Sequence, residues 1–244
     1  MKKYVRLNVD RPQPEIVSGL QVHSVSTVYE AQGRSGLLDP ALKPISQGQS
    51  VVGPVVTAIC HAGDNLMVHA AIEAVKPGDV LVVATIGDYN AGMVGELIVT
   101  ALMKKGVKGL IIDSGIRDAK EIRQLEFPVW SREITSRGST KARGGWVNSP
   151  CVCGGVSIDP GDIIMADDDG IVVVERNHAE ASLLAANIRA QREVEIKKMI
   201  EEGQLSVDFY NLRQVLKSEG VQYMDCLLYT SPSPRDRTRS RMPS

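Results

Sequence analysis

No stretch of the 244-residue sequence approaches ~18 consecutive uncharged apolar residues, so no membrane-spanning helix is expected. No apolar run follows Met1-Lys2-Lys3, so no secretory leader is expected. Basic excess is also missing. Lys and Arg number 28 against 29 Asp and Glu, a net charge of -1, which argues against a general nucleic-acid binder. Cysteines are few. Cys60, Cys151 and Cys153 form an odd set once Cys226 in the C-terminal tail is set aside, and Cys151-Val152-Cys153 lacks the spacing of a redox or zinc pair. Strand alternation puts both of its thiols on one face, so packing in or near the core and a reducing, cytoplasmic compartment are expected.

Several catalytic signatures are missing too. There is no G-x-S-x-G, and Gly138-Ser139-Thr140-Lys141 lacks the upstream glycine of a phosphate loop. His61, His69 and His178 show no metal-ligand spacing, so surface or packing roles are expected of them. Asp167-Asp168-Asp169-Gly170 lacks the spaced acids and distal Glu of a calcium loop and reads as a tight turn between strands. No fixed-period repeat and no linker stand out.

What is present is a globular composition, 43% hydrophobic and 23% charged, with one exception at the C-terminus. Residues 226–244 carry Arg235, Arg237, Arg239 and Arg241 against the single acid Asp236, with three prolines and no periodicity, so disorder is expected. CLLYTSPSPRD resembles the translation of a transposon-type sequencing adapter, which places the expected native end near Asp225. Without this tail the net charge is -4 (24 bases against 28 acids).

Periodicity orders the rest. Residues 1–20 read as an arm. His23–Ala31 reads as a short helix capped by Ser24 or Ser26. Ser50–Cys60 is β-branched and reads as a strand broken at Gly53-Pro54. Asn65–Val75 reads as a helix with an apolar stripe at Leu66, Ala70 and Val75. Val80–Ile86 and Gly109–Asp113 read as buried strands, and Gly95–Lys105 as a helix closed by Gly106. Ala119–Leu125 is a short helix, Val129-Trp130 begins another extended piece, and strands cluster from Trp146 to Val174. His178–Ile200 is a long amphipathic helix, followed by a polar, partly helical extension. Together these describe an α/β domain (1–200) with a C-terminal helical extension (201–225) and the foreign tail (226–244).

Two segments carry candidate chemistry. Asp113-Ser114-Gly115-Ile116-Arg117-Asp118 follows a strand, where open α/β sheets gather their sites. Arg117 offers a planar fork for a carboxylate, and Asp118 an oxygen ligand for a hard divalent cation. Gly95-Glu96-Leu97 begins a helix whose unpaired N–H groups suit an anion. In both segments the acid could instead serve only a helix dipole. Glu193 and Glu195 lie two apart on the long helix, so only one could enter a site.

These segments taken together resemble the RraA-like superfamily, and within it the metal-dependent class II aldolases of 4-hydroxy-4-methyl-2-oxoglutarate and 4-carboxy-4-hydroxy-2-oxoadipate. The resemblance runs from about Ser24 to Asp225. It rests on TVYEAQGRSGLL (27–38), GDN (63–65), KPGDVLVVA (76–84), GELIVTAL (95–102), GVKGLIIDSGIRD (106–118), FPVWSR (127–132), PGDIIMADDDGIVVV (160–174) and GQLSVDFYNLR (203–213). It implies a single α-β-β-α (swivelling β/β/α) domain. It also implies retro-aldol release of pyruvate in aromatic-compound degradation, with oxaloacetate decarboxylation as a secondary activity. Mg²⁺ or Mn²⁺ would be the cofactor, and a homotrimer or homohexamer would share active sites between subunits. Nucleic acid and membrane are not expected as partners.

The same resemblance assigns roles. Arg117 would bind the pyruvyl end of a 2-oxo acid and steady the enolate, and Asp118 would hold the metal. Gly95 and the N–H groups of Leu97 and Ile98 would take the substrate carboxylate. Glu96, where the aldolases usually carry Asp, would order a proton-relay water. Glu193, with Glu195 as the fallback, would reach the metal of a neighbouring subunit. Relatives outside the aldolases include regulators of a ribonuclease, which lack the aspartate after the arginine, lyases of other 2-oxo acids, and proteins labelled methyltransferases. No glycine-rich S-adenosylmethionine loop supports the last of these.

Overall fold

A computed structural model describes residues 2–87 and 91–224. The segment from Asp225 onward, including the expected foreign tail, lies outside the described residues. The chain divides into two compact units, 1–193 and 194–244. Among the described residues no helix is long and apolar enough to cross a membrane.

In chain order the first unit holds β1 (Tyr4–Val5), α1 (Pro14–Leu20), α2 (Val25–Ala31), β2 (Lys43–Pro44), β3 (Val51–His61), α3 (Leu66–Ala74), β4 (Val80–Ile86), β5 (Gly92–Val94), α4 (Glu96–Lys104), β6 (Gly109–Ile116) and α5 (Ala119–Gln124). It continues with β7 (Val129–Ile134), β8 (Trp146–Val147), β9 (Cys151–Cys153), β10 (Val156–Ile158), β11 (Ile163–Ala166) and β12 (Ile171–Val174). The long helix α6 (Ala179–Glu201) follows and runs through the division between the units. The second unit holds α7 (Ser206–Phe209) and α8 (Leu212–Ser218), neither with a buried residue, tied locally by Asp208 and Arg213.

Strands β3, β4, β6 and β7 lie side by side in parallel, while β8 and β11 run antiparallel to β3. Residue alternation decides the layers. Val56, Ala58, Leu81, Val83, Leu110 and Ile112 face α3, α4 and α5. Val55, Val80, Val82 and Ile111 face the other way, onto Cys151, Cys153 and Ile158 of the β9–β10 hairpin and Ile164 and Val173. The far side of β11–β12 packs Ile163, Met165, Val172 and Val174 on Leu20, Val28, Ala179 and Ala186 of α1, α2 and α6. This is the expected α-β-β-α layering. Complete burial of each such aliphatic side chain stabilises the fold by roughly 1.5–3 kcal/mol.

Ser24 is the cap of α2, its hydroxyl accepting from Thr27 N–H at 3.2 Å. The cysteines are core residues. Cys151 and Cys153 are buried on either side of exposed Val152, and burial pushes the Cys60 and Cys151 thiols up to about 12. The acidic turn Asp167–Gly170 joins β11 to β12, and Asp167 caps α2 from outside by accepting from Val25 N–H at 3.0 Å.

Three expectations need correction. Residues 1–20 are not a plain arm. Tyr4-Val5 pair with Trp146-Val147, Leu20 is fully buried, and Arg11 grips the buried Asp79 through two 2.7 Å bonds. The strand β3 is not broken at Gly53-Pro54. Pro54 stands one residue before the ladder to β4 begins at Val55, where a missing N–H interrupts nothing. Gly53 is there for close approach, since a Cβ would lie 2.4 Å from Gly78 O. Val75 is buried as expected, but within α3 the buried positions are Met67, Val68, Ala71 and Ala74, while Leu66 and Ala70 are only partly buried.

Candidate active site

The ends of β5 and β6 build the site. Arg117 follows β6, and its N–H donates to Val94 O of β5 at 2.9 Å, which draws the two strand ends together. Gly115 allows this packing, because a Cβ there would lie 2.8 Å from Ala91 O. Asp118 then takes a left-handed conformation (φ 55°, ψ 38°), tolerated by Asp more readily than by most residues. It stands at the N-cap of α5 yet makes no side-chain cap bond there. Its carboxylate turns instead to the start of α4, where Oδ2 accepts from Glu96 N–H at 3.2 Å and lies 3.6 Å from Arg117 Nε. Gly95 makes room for this turn: a Cβ on it would sit 2.3 Å from Asp118 Oδ2 and 3.1 Å from Arg117 Nε.

Gly95, Leu97, Ile98, Arg117 and Asp118 line one cleft of about 110 Å³. A water molecule's share of liquid is roughly 30 Å³, so the space suits a small organic acid. Leu97 N–H has no acceptor among the described residues, whereas Ile98 N–H donates to Gly95 O at 3.1 Å. Within this chain Leu97 therefore offers the unspent amide at the α4 N-terminus. The Glu96 side chain lies back along α4, with Oε1 accepting from Thr100 Oγ1 at 3.5 Å. Glu193 stands apart from the cleft within the first unit, 3.0 Å from Arg189 Nε and 3.5 Å from Thr27 Oγ1. A larger cavity of about 520 Å³, lined by Gln32, Ser157, Glu175 and His178 among others, contains none of the expected residues.

Sequence reasoning missed the other wall, which is made by Asn65, His69 and Lys141. Asn65 begins α3 but leaves capping to Asp64, whose Oδ1 accepts from Leu66 N–H at 3.1 Å. The Asn65 Nδ2 donates to Met93 O at 2.7 Å, which fixes the amide's orientation. Its buried Oδ1 then has no partner among the described residues. Burial, and after it the charge of Lys141, hold His69 below the usual imidazole range. The i, i+4 spacing of Asn65 and His69 was a usable signal that both share a helix face. Nothing local to Lys141 announced it.

As a metal site the cleft offers one hard oxygen ligand. Asp118 is 41% exposed and holds only long contacts, so its carboxylate has spare capacity. Among the described residues no group of three or more His, Cys, Asp or Glu could hold an ion alone. The donor set fits an Mg²⁺-type ion that keeps several waters, and not a dedicated protein cage.

The RraA-like family model, described as Aldolase/RraA, matches residues 24–173. A protein of Halalkalibacterium halodurans with the provisional name 4-hydroxy-4-methyl-2-oxoglutarate aldolase is 32% identical over 200 residues, covering 81% of this chain and 95% of that one. The crystal structure of an unusual member of the RNase ES inhibitor RraA protein family from Streptomyces coelicolor superposes with TM-score 0.69 at 31% identity, over 79% of this chain and 100% of the other. An uncharacterized Pseudomonas syringae protein superposes with TM-score 0.71 at 23% identity, over 81% of this chain and 97% of the other, and shares the fold.

Proposed function

The chain belongs to the RraA-like family, Aldolase/RraA, and on that premise we propose that it is a divalent-cation-dependent lyase. It cleaves the C3–C4 bond of 4-hydroxy-2-oxo acids of the 4-hydroxy-4-methyl-2-oxoglutarate or 4-carboxy-4-hydroxy-2-oxoadipate type and releases pyruvate. The observation that carries this reading is the convergence of Arg117, Asp118 and the unspent Leu97 amide on one small cleft.

Each group has a task in that reaction. The substrate's 1-carboxylate lies at the N-terminus of α4, on Leu97 N–H, with Ile98 N–H sharing as its helical bond lengthens. Arg117 binds the carbonyl oxygen and stabilises the negative charge that collects there as the enolate forms. Asp118 holds the cation, Mg²⁺ or Mn²⁺, which when bound supplies Lewis-acid stabilisation to the same oxygens. Glu96 orders a water that takes the C4 hydroxyl proton, which requires its side chain to leave Thr100. Oxaloacetate decarboxylation passes through the same enolate and follows as a secondary activity. Glu193 of a neighbouring copy completes the cation's surroundings, in a trimer or hexamer with sites between subunits.

A coupled assay for pyruvate with both substrates tests this. Release that vanishes with a chelator and returns with Mg²⁺ or Mn²⁺ is expected; no metal-dependent pyruvate from either acid refutes it. Glu193→Ala should lose activity, and loss in Glu195→Ala alone would move that role. The resemblance to an RNase ES inhibitor family supports a second reading, regulation of a ribonuclease. Under it the protein would slow ribonuclease cleavage and release no pyruvate.

A further inference from the structure

We propose that residues 2–11 form a positioning strap for the cleft, holding the loop 135–145 in the place that 2-oxo acid binding requires. Lys141 of that loop lines the cleft, so the strap acts on affinity through the loop and touches no reacting atom. The proposal rests on the lyase reading for its substrate and on the strap's own geometry for its action.

The first ground is how the strap is fastened. At its far end Arg11 grips the buried Asp79, just before β4, through two 2.7 Å bonds, and Arg176 Nη1 donates to Asp10 O at 3.0 Å. Strand β8 runs antiparallel to β3, and β1 runs parallel to β8, so the strap's first residues stand nearest the cleft end of the sheet. There it grips the exit of the loop. Trp146 Nε1 donates to Lys2 O at 2.9 Å, Arg6 N–H to Val147 O at 3.2 Å and Asn148 Nδ2 to Arg6 O at 2.7 Å. Asn148 is fully buried, which shields the last of these bonds from water.

The second ground is that residues 2–8 are exposed, so core burial gives no account of their order, whereas their bonds to 146–148 do. The third is that the loop needs an outer hold. Its middle is held from inside, where one oxygen of Asp64 accepts from Thr140 Oγ1 at 2.6 Å, Ala142 N–H at 2.7 Å and Arg143 N–H at 3.1 Å. Beyond Arg143 come Gly144 and Gly145, and then the two-residue β8. The glycines bring conformational freedom, so the position of this stretch depends on β8, and β8 depends on its neighbours β3 and β1. Without β1, β8 would be an edge strand of two residues. Arg117 and Asp118 are independent of the strap, since they follow β6 and bond to β5 and α4. Loosening the strap should therefore weaken binding and spare the chemistry.

The test uses the whole protein with Mg²⁺. It compares Arg6→Pro, which deletes the N–H bonded to Val147, with Arg6→Ala, which loses the same side chain and keeps that N–H. Arg6 is exposed, so neither change disturbs the core. Two readouts are taken: kcat and KM for pyruvate release from 4-hydroxy-4-methyl-2-oxoglutarate, and the rate of tryptic cleavage after Arg143, followed by mass spectrometry. Arg6→Pro should raise KM about tenfold with kcat within about twofold of native, and should speed the cleavage about tenfold, the share of one hydrogen bond. Arg6→Ala should match the native protein in both. If the proline variant does not fold, Trp146→Phe, which removes the bond to Lys2, decides in its place and should move KM and cleavage in the same directions. A native KM in the deciding variant overturns the proposal whatever the cleavage rate, as does a fall in kcat without a rise in KM. Absence of pyruvate from the native protein sinks the lyase reading instead, and the cleavage rates then still decide whether the strap holds the loop.

Discussion

Two aspartates five residues apart, Asp113 and Asp118, leave the same strand for opposite fates. Asp113 is fully engaged. Arg132 grips one oxygen, Gly154 N–H donates to the other at 2.8 Å, and Arg132 reaches on to Asp39 at 2.8 Å. The Asp39 carboxyl is in turn held below the usual range by the Ala41 N–H and by Arg132. Asp118 has one 3.2 Å bond and a 3.6 Å approach to Arg117, with more than twice the exposure of Asp113 (41% against 18%). An engaged carboxylate holds structure; one with spare capacity has something left to bind. Identity alone cannot tell them apart, because the difference lies in what the rest of the chain brings to each.

The contrast can be broken most forcefully at Asp118. Asp118→Asn keeps the left-handed backbone and the acceptor for Glu96 N–H but removes the charge. Pyruvate release should fall by about three orders of magnitude, the several kcal/mol that a charge-bearing group supplies. The melting temperature should hold. Full activity in that variant would refute the metal assignment.

Gly95→Ala comes next. The backbone there is extended (φ -130°), so alanine fits locally, but its Cβ would strike the Asp118 carboxylate. Displacement of about 1 Å should cost on the order of 10²-fold in pyruvate release. Activity close to native would show that Gly95 does not shape the site.

Asp113→Ala should do the reverse, lowering stability by about 1–3 kcal/mol through the stranded Gly154 amide and the half-paired Arg132. A melting drop of about 3–10 °C by calorimetry, with pyruvate release at 25 °C within a few-fold of native, is expected. Equal damage to both properties would erase the distinction.

The smallest effect concerns Asp64, an engaged acid on the cleft's rim. Burial pushes its carboxyl up, but Thr140 Oγ–H and the amides of Ala142, Leu66 and Arg143 outweigh burial and hold it at about 2. Its contribution is therefore present above the unfolded value near 4 and is lost as pH falls through about 2. Melting followed from pH 5 to 2 should fall less steeply in Asp64→Asn than in the native protein. Identical slopes would show that the carboxylate is not what the loop titrates through.

The sequence revealed what is local. The β-branched runs at 51–60, 80–86 and 109–113, the Ser24 cap and the Gly106 helix stop each follow from residues adjacent in the chain. Arg117 and Asp118 were legible for the same reason, being contiguous at a strand end. Tyr4-Val5 were not, since a two-residue strand exists only through its partner at 146–147. Lys141 was not legible either, because it enters the cleft through the bonds of Asp64, a residue whose own neighbourhood suggests only a turn. Glu96 was expected from its position, yet its side chain lies toward Thr100, a rotamer choice that pattern does not encode.

Asp118 also stands at the head of a helix without capping it. Nothing in α5 depends on that carboxylate, so a ligand that captures it takes no support from the helix. Position 118 is a socket mounted on the frame and not part of it. Its chemistry could be exchanged for another short polar group that accepts a left-handed backbone, with the surrounding architecture left as it is.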